Sequence, residues 1–309
     1  MICDDECECR WWTRETVAVV TGANKGIGFE IVRQLAENGL TVVLTSRDLS
    51  RGLRATKTLH DEGFNNVVFH ELEIQNLQSV SEFAMWLKEN YGGLDILVNN
   101  AGIFGTTIDK EAAIQAACVS RMQYDLMSDP AFSQAFKTNY EMSKKCIEIN
   151  YYGTKRITEA LLPLIRPEGR IVNVSSEAGL LKMLKNDSLQ TELSNISKIT
   201  EGLIDKMLEM FLHDMKSGNL EGKGWPFFTP HYSLSKIALN AYSRMLAQKL
   251  SERRIYVNNV HPGDVQTDMT DYLGSLTPSQ GAHSCVMLAL LPPGGPSGHF
   301  FFMKEAHSF

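Results

Sequence analysis

The stretch TVAVVTGANKGIGFEIVRQL, residues 16–35, places a short β-branched run before a glycine-rich turn and an amphipathic segment. Gly22, Gly26 and Gly28 fall between a predicted strand ending at Thr21 and a helix predicted over residues 26–38. Glycines here let the backbone approach a pyrophosphate, and the helix N-terminus offers free N–H groups to the anion. Glycine also ends strands and packs helices closely, and the GxxxGxG spacing departs from the general fingerprint. Between a first strand and a first helix, however, the stretch favours dinucleotide binding.

The same alternation of strand and helix continues along the chain. Further strands are predicted at 40–46, 66–74, 94–100, 169–176, 254–263 and 298–302. Helices are predicted near 50–62, 77–90, 140–163, 233–252 and 279–290. Such alternation is typical of βαβ units, because parallel strands need crossover helices and are buried on both faces. The sequence therefore predicts an α/β fold with a doubly wound, Rossmann-type parallel sheet of about seven strands.

Two segments interrupt this rhythm. Residues 105–138 and 181–228 carry a helical pattern where a simple βα unit needs only a short loop. In the second segment, Thr200 is a candidate N-cap and Gly218 a candidate terminator of an amphipathic helix. That helix either packs on the core or belongs to a substrate lid, and the two roles are compatible. We predict a single Rossmann-type domain over residues 15–309, with these two segments as insertions.

Composition narrows the class of function. The 309 residues are 43% hydrophobic and carry a formal net charge of −6, so there is no broad basic field for nucleic acid or an anionic bilayer. The scattered cysteines indicate reduced thiols in a cytoplasmic protein. No secretory signal or membrane-spanning run is predicted. The cluster CDDECEC at 3–9 could hold a soft metal, but it lacks a histidine partner and falls within a disordered acidic tail predicted over residues 1–14.

The end of the second predicted strand, TSRD at 45–48, bears on the choice of cofactor. Asp48 lies roughly 20 residues after the last glycine, where an acid binds the ribose hydroxyls of NADH. Arg47 precedes it and Lys25 lies in the glycine loop, and two cations suit the 2′-phosphate of NADPH better. Alternatively, Arg47 is a solvated charge and Asp48 caps the next helix. We predict NADPH/NADP⁺ as the cofactor.

Six motifs occur in a fixed order: TGANKGIG at 21–28, NNAG at 99–102, Asn150 in EINYYGT, VNVSS at 172–176, YSLSK at 232–236 and HPGDVQTDM at 261–269. Together they resemble the short-chain dehydrogenase/reductase family over nearly the whole chain. The long insertion before the tyrosine and GWP at 224–226 resemble its carbonyl reductase branch. With the additional segment 105–138, the chain resembles plant reductases similar to salutaridine reductase and menthone/neomenthol reductases, which are enzymes of plant secondary metabolism.

The YSLSK motif carries the predicted chemistry. Tyr232 and Lys236 share one face of a helix, and an ammonium near a phenol favours its ionised form. Taken alone, YxxxK indicates a surface tyrosine and a solvated lysine. The resemblance implies instead that Tyr232 donates the proton in carbonyl reduction, and that Ser176 and Tyr232 bind the substrate oxygen. It also implies that Asn150 holds a water linking Lys236 to solvent.

The resemblance implies cofactor contacts at Gly22, Asn24, Lys25, Gly26, Ile27, Gly28, Arg47, Glu73, Asn99, Ala101, Gly102, Tyr232, Lys236, Pro262, Gly263, Val265 and Thr267. Two residues depart from the family's pattern. Many relatives have Asp in place of Glu73, and an aromatic or aliphatic residue in place of Asp264. The Asp264 carboxylate could bind a basic nitrogen of a substrate or turn to solvent.

The function implied by the resemblance is NADPH-dependent reduction of a hydrophobic ketone or aldehyde, terpenoid or alkaloid-like, to an alcohol. One alternative is reduction of an enone C=C bond, for which the tyrosine can be absent; another is a non-catalytic NADPH-binding protein. The presence of Tyr232 favours carbonyl chemistry over C=C reduction, and the joint presence of Asn150, Ser176, Tyr232 and Lys236 argues against the non-catalytic alternative. A flap formed by 181–228 would cover the face on which many relatives assemble, which predicts a monomer.

Overall fold

The structure, a computed structural model, describes residues 10–120 and 130–309. These residues form two compact units. The sheet unit comprises the described residues through Ala101, together with Gly153–Ser175 and Ser243–Ser308. The tyrosine unit, named for Tyr232, comprises Gly102–Tyr152, Ser176–Tyr242 and Phe309. The single domain over residues 15–309 stays a prediction.

The strands, in chain order, are β1 (Val17–Val20), β2 (Thr41–Ser46), β3 (Val67–Glu71), β4 (Leu94–Asn99), β5 (Thr107–Ile108), β6 (Phe136–Lys137), β7 (Ile165–Val174), β8 (Tyr256–His261), β9 (Phe300–Phe302) and β10 (Glu305–His307). In the tyrosine unit, β5 and β6 pair antiparallel. The other eight form one sheet in the order β3-β2-β1-β4-β7-β8-β9-β10, parallel except for the β9–β10 pair. The predicted doubly wound parallel sheet is confirmed, and β10 is an additional strand that we did not predict.

The α-helices of the described residues are α1 (Gly26–Glu37), α2 (Leu49–Asp61), α3 (Leu77–Tyr91), α4 (Lys110–Ser120), α5 (Pro130–Gln134), α6 (Tyr140–Ile147), α7 (Thr154–Leu161), α8 (Asp187–Ser194), α9 (Glu201–Ser217), α10 (Pro230–Lys249) and α11 (Pro278–Ala289). A π-helical turn at Glu148–Gly153 separates α6 from α7, so the helix predicted over 140–163 is not continuous. Thr200 caps α9 and Gly218 ends it in the left-handed conformation, as predicted.

The core of the sheet unit explains the apolar runs in the sequence. All four residues of β1 are buried, because neighbouring strands lie on both sides and helices cover both faces. Helices α1 and α11 pack together against the sheet, and Ile31, Leu35 and Leu288 join one apolar cluster with β1, β2 and β4. This packing fixes the carboxyl ends of β1 and β4, from which the glycine turn and the NNAG motif continue.

Packed structure begins earlier in the chain than we predicted. The Arg170 guanidinium carbon lies 3.5 Å from the centroid of the Trp11 ring, and the Trp11 indole N–H donates to the Leu290 carbonyl at 3.3 Å. Trp12 also packs against the core. The predicted disordered tail over residues 1–14 is therefore too long, because two adjacent indoles supply enough apolar area to dock. Residues 1–9, with the CDDECEC cluster, lie outside the described residues.

Candidate active site

Tyr232 and Ser176 face each other within the tyrosine unit. Because α10 begins at Pro230, Tyr232 and Lys236 fall in its first turns, on one face. Ser176 follows β7 and caps a short 3-10 turn, where its hydroxyl accepts from the Ala178 N–H at 3.2 Å. The Asn240 amide donates to the Gly179 carbonyl at 2.8 Å and so ties this turn to α10. The Ser176 hydroxyl is thereby placed within hydrogen-bonding reach of the Tyr232 phenol.

Burial decides the protonation of Tyr232 and Lys236. Desolvation raises the pKa of Tyr232 well above that of a free phenol, although the hydrogen bond with Ser176 opposes the shift. Desolvation lowers the pKa of Lys236, which is 5% exposed, to about 8. We expected the ammonium to favour ionised Tyr232; instead, the cost of burying a charged phenolate dominates. At neutral pH the site therefore holds a protonated phenol beside a lysine that titrates near neutrality.

Asn150 lies in the π-helical turn and is 1% exposed. Its Oδ1 accepts from the Ile103 N–H at 2.8 Å, and its Nδ2 donates to the Ile103 carbonyl at 2.9 Å. A Cβ added to Gly102 would lie 3.1 Å from Asn150 Oδ1, closer than most Cβ contacts, so a side chain at this position would crowd the Asn150 amide. The structure thus brings the four predicted catalytic residues together, with Asn150 in a π turn, a distortion that is frequent at functional sites.

Four phenylalanines form a connected cluster, the aromatic wall, that reaches the Tyr232 ring through Phe104; its members are Phe104, Phe132, Phe136 and Phe228. Phe104 meets Tyr232 edge-on, with ring centroids 5.0 Å apart. Phe136 lies 4.9 Å from both Phe132 and Phe228 and 6.0 Å from Phe104. Both insertions therefore contribute rings to the cluster that meets Tyr232 at Phe104. The wall was not predicted from the sequence, because its members come from three separate segments without a shared periodicity.

His231 fixes the chain that carries Phe104. Its imidazole is fully buried, and Nε2 lies 3.1 Å from the Phe104 carbonyl oxygen and 3.1 Å from Thr106 Oγ1. Burial lowers the pKa of His231 to about 4, so the ring is neutral at neutral pH and can donate from Nε2 to the carbonyl. Phe104 is therefore held against Tyr232 by the residue that precedes Tyr232.

The cofactor residues predicted from the glycine turn lie in the sheet unit. The carboxyl ends of β1 and β4 are adjacent where the strand order reverses, the place at which open α/β sheets bind ligands. Gly22 has φ 63°, and a Cβ there would lie 2.9 Å from the Ala101 Cα. No side chain caps α1 at its N-cap Lys25. A glycine turn and an uncapped helix N-terminus fit the pyrophosphate of a dinucleotide. The other residues predicted here lie in the turn or the first turn of α1: Asn24, Gly26, Ile27 and Gly28.

The charges around this turn are distributed differently from the prediction. The Asp48 carboxylate accepts from the Arg51 N–H at 2.9 Å, which confirms it as the N-cap of α2. Arg47 is exposed, and no carboxylate in the described part of the chain pairs with it. Lys25 instead forms an ion pair with Asp268. Arg51, a further cation that we did not predict, lies close enough to Asp268 to contribute to the lowering of its pKa, after Lys25 and Tyr272.

The NNAG motif divides its roles between two asparagines. Asn99 is buried and donates to Asn173 Oδ1 at 2.8 Å and to Thr158 Oγ1 at 3.0 Å, so its amide braces β4. Asn100, which we did not select, donates to the carbonyls of Thr21 and Gly22 at 2.9 and 3.0 Å. Asn100 therefore holds the glycine turn in place, while the cofactor contact of Asn99 stays a prediction.

The segment after β8 borders the glycine turn. Pro262 and Val265 are buried, and the Asp264 carbonyl accepts from the N–H groups of Ser275 and Leu276 at 2.9 Å, which closes the loop. The Thr267 methyl would lie 3.5 Å from a Cβ on Gly26. Asp264 itself is exposed, and partial desolvation raises the pKa of its carboxyl.

The predicted adenine contact, Glu73, follows β3. Its carboxylate accepts from the Gln75 N–H at 3.3 Å, a bond within its own loop. Its contact with the cofactor stays a prediction. Within residues 10–120 and 130–309, no three His, Cys, Asp or Glu side chains are grouped to hold a metal ion. None of the helices described combines the length and apolarity needed to cross a membrane.

A sequence model described as short chain dehydrogenase matches residues 16–187 and 218–276. The chain belongs to the short-chain dehydrogenase family. (−)-Isopiperitenone reductase of Mentha piperita is 43% identical, over 94% of this chain and 96% of the relative. Carbonyl reductase [NADPH] 1 of Rattus norvegicus is 40% identical, over 94% of this chain and 96% of the relative. The structure of salutaridine reductase from Papaver somniferum superposes with a TM-score of 0.84 at 41% identity, covering 93% of this chain and 99% of that chain.

Membership of the short-chain dehydrogenase family confirms the predicted resemblance, the fold class and the assignment as an oxidoreductase. The similarity to carbonyl reductase, isopiperitenone reductase and salutaridine reductase also agrees with the narrower resemblance drawn from the two insertions. A nicotinamide dinucleotide is the cofactor that this family's fold and the glycine turn accommodate.

Proposed function

We propose that the protein reduces a hydrophobic ketone or aldehyde, terpenoid or alkaloid-like, to an alcohol with NADPH. The observation that carries this proposal is a Tyr232 whose hydroxyl hydrogen-bonds with Ser176 and whose ring meets Phe104 of the aromatic wall; desolvation raises the pKa of the phenol and so favours its protonated form. A proton donor beside apolar ring surface suits a carbonyl group on a hydrophobic ring. The names of the relatives are those of reductases, among them salutaridine, isopiperitenone and carbonyl reductases.

Each catalytic residue has a step that follows from its surroundings. When bound, NADPH supplies the hydride that reaches the carbonyl carbon. Ser176 and Tyr232 donate hydrogen bonds to the carbonyl oxygen, and Tyr232 gives that oxygen its proton because its raised pKa keeps the O–H intact. Lys236, with a pKa of about 8, returns a proton to Tyr232. Asn150 holds the water from which Lys236 is recharged.

The charges of the sheet unit support NADPH rather than NADH. The Asp48 carboxylate is engaged by the N-terminus of α2, whereas Arg47 is exposed and Arg51 lies one turn further along. A 2′-phosphate gains charge-assisted hydrogen bonds from guanidinium groups, and a ribose diol gains less. Lys25 is already paired with Asp268, so the preference for NADPH rests mainly on Arg47.

The same proposal includes a cytoplasmic monomer. Helix α9 of the second insertion packs against α6, and Asp205 of α9 hydrogen-bonds Tyr152. An insertion packed there covers helix surface that would otherwise be free to pair with a second subunit. Sedimentation should give a single species of the mass of one chain, and a stable tetramer would reject this part of the proposal.

Product identification tests the reaction. The purified protein is incubated with NADPH and either a cyclic monoterpene enone or its saturated ketone. Alcohol products support carbonyl reduction. A saturated ketone formed from the enone would make the C=C bond the target, and no product from either substrate would favour the non-catalytic alternative.

A matched pair of hydroxyl deletions tests the proton donor. Tyr232→Phe keeps the ring beside Phe104 and should remove most turnover while NADPH affinity stays nearly unchanged. Tyr151→Phe removes another buried hydroxyl, one without a hydrogen-bond partner in the described residues, and should retain activity. Full activity in Tyr232→Phe would exclude Tyr232 as the donor.

A further inference from the structure

Ser235 lies between Tyr232 and Lys236 in the sequence and is fully buried, yet the reaction described above gives it no role. Its hydroxyl group hydrogen-bonds both the backbone carbonyl of Tyr232 on its own helix and the side-chain amide of Asn150 in the π-helical turn. We propose that Ser235 is a positioning residue that holds Asn150 in place relative to Tyr232 and Lys236. This inference rests on the proposed function, because it assumes that Asn150 serves the return of the proton.

The direction of each hydrogen bond follows from the single proton of a hydroxyl group. Ser235 Oγ donates to the Tyr232 carbonyl at 2.7 Å, so toward Asn150 its oxygen can only accept. Asn150 Nδ2 supplies the matching donor at 3.0 Å. The chain of bonds therefore runs from the Asn150 amide through Ser235 to the backbone of the residue that donates the proton.

The other partners of Asn150 do not replace this link. Ile103 binds both ends of the amide and so fixes its orientation, but Ile103 lies in the segment after β4 and not on α10. The second N–H of Nδ2 has two acceptors, Ser235 Oγ and Cys146 Sγ at 3.3 Å. A thiol is a weak acceptor, so Ser235 provides the strong bond and the one that ties Asn150 to α10.

The π-helical turn explains why such a link is needed. In a regular α-helix the i→i−4 bonds fix each residue, whereas a π turn inserts an extra residue and is frequent at functional sites. Asn150 lies within this turn, so its position relative to Lys236 depends on side-chain bonds. Losing the Ser235 bond should let the amide shift, which slows the return of the proton without removing any reacting group.

The test is Ser235→Ala, assayed with the purified full chain, NADPH and the ketone on which the wild type turns over. A hydrogen bond of this kind contributes a factor of roughly 3 to 10, so kcat should fall about three- to tenfold while KM for NADPH is unchanged. The solvent deuterium isotope effect on kcat should rise, because proton return becomes slower than hydride transfer. The isotope effect from NADPH deuterated at C4 should fall correspondingly. Ser235→Thr keeps the hydroxyl and should restore both isotope effects.

Ser284→Ala is the matched control. Ser284 is also a buried helical serine that donates to the carbonyl three residues earlier, at 3.1 Å, but it lies on α11 in the sheet unit. It should leave both isotope effects at the wild-type values. Thermal melting of each variant checks folding; if Ser235→Ala does not fold, Ser235→Cys, whose thiol is only a weak acceptor, gives the same readout when assayed with a reducing agent, because Cys146 Sγ lies 3.9 Å from the Ser235 oxygen.

Two outcomes would overturn the inference. One is a Ser235→Ala enzyme with wild-type isotope effects; the other is an equal change in Ser284→Ala. A wild-type protein without turnover on any carbonyl compound would instead reject the proposed function, so the two failures are distinguishable.

Discussion

Replacing Arg47 by glutamate tests the predicted phosphate site directly. Arg47 is exposed and forms no ion pair within the described ranges, so the fold should tolerate the change. Losing a charge-assisted hydrogen bond to the 2′-phosphate costs about 1.5–3 kcal/mol, and repulsion by the new carboxylate adds about 1 kcal/mol near the surface. Together these terms should weaken NADPH binding by roughly a hundredfold or more, whereas NADH, which lacks the phosphate, should change by less than about threefold.

The assay is the dissociation constant of each cofactor, measured by nucleotide fluorescence at physiological salt. Lys57→Glu is the control, since it makes the same change in net charge on the exposed face of α2. Lys57 lies about 15 Å further along the chain, beyond the Debye length of about 8 Å, and its replacement should leave both constants unchanged. An equal loss for NADPH and NADH in Arg47→Glu would show that the phosphate binds elsewhere.

The pKa shifts and the aromatic wall give three more expectations. The kcat for carbonyl reduction should fall as pH rises through about 8, because burial lowers the pKa of Lys236 to about 8 and its ammonium group returns the proton to Tyr232. A kcat that stays constant to about pH 10 would contradict this role of Lys236. Burial lowers the pKa of His231 from 6.5 to about 4, so between these values the unfolded chain binds more protons, and the free energy of unfolding should fall with decreasing pH by up to roughly 3 kcal/mol. Urea unfolding across this range measures the fall, and His231→Gln should make it shallower; an unchanged slope would refute the assignment. Phe104→Ala removes a ring packed on Tyr232. Because a lost ring contact costs about 1.4 kcal/mol, the steady-state KM should rise about tenfold for a bulky cyclic ketone and less for a small aldehyde. Equal changes in KM for the two substrates would show that the aromatic wall does not contact the substrate ring.

The features that were predictable from the sequence depend on residues close together in the chain. The β-branched run, the glycine turn and the start of α1 follow one another within residues 16–38, and Thr200 and Gly218 bound α9 by local capping chemistry. The spacing of Tyr232 and Lys236 likewise places both on one helix face without tertiary information. For this reason most strands were predicted correctly, whereas the catalytic roles of the four site residues stay predictions.

The features that were missed depend on distant partners. Lys25 pairs with Asp268, 243 positions away, and no local pattern shows that this cation is already neutralised. The π turn interrupts a sequence whose apolar periodicity still indicates one helix from 140 to 163, because a single insertion leaves the helical spacing on either side of it unchanged. Asn99 and Asn100 are adjacent and identical, so only the structure shows that one points into the sheet and the other to the glycine turn.

The contact between Trp11 and Arg170 limits where the protein can be shortened for recombinant production. Arg170 is 1% exposed, and Trp11 covers the face of its guanidinium. A deletion that extends through Trp12 would therefore open the cover of a buried cation within β7. Affinity tags and protease sites at the N-terminus should therefore be placed upstream of Arg10.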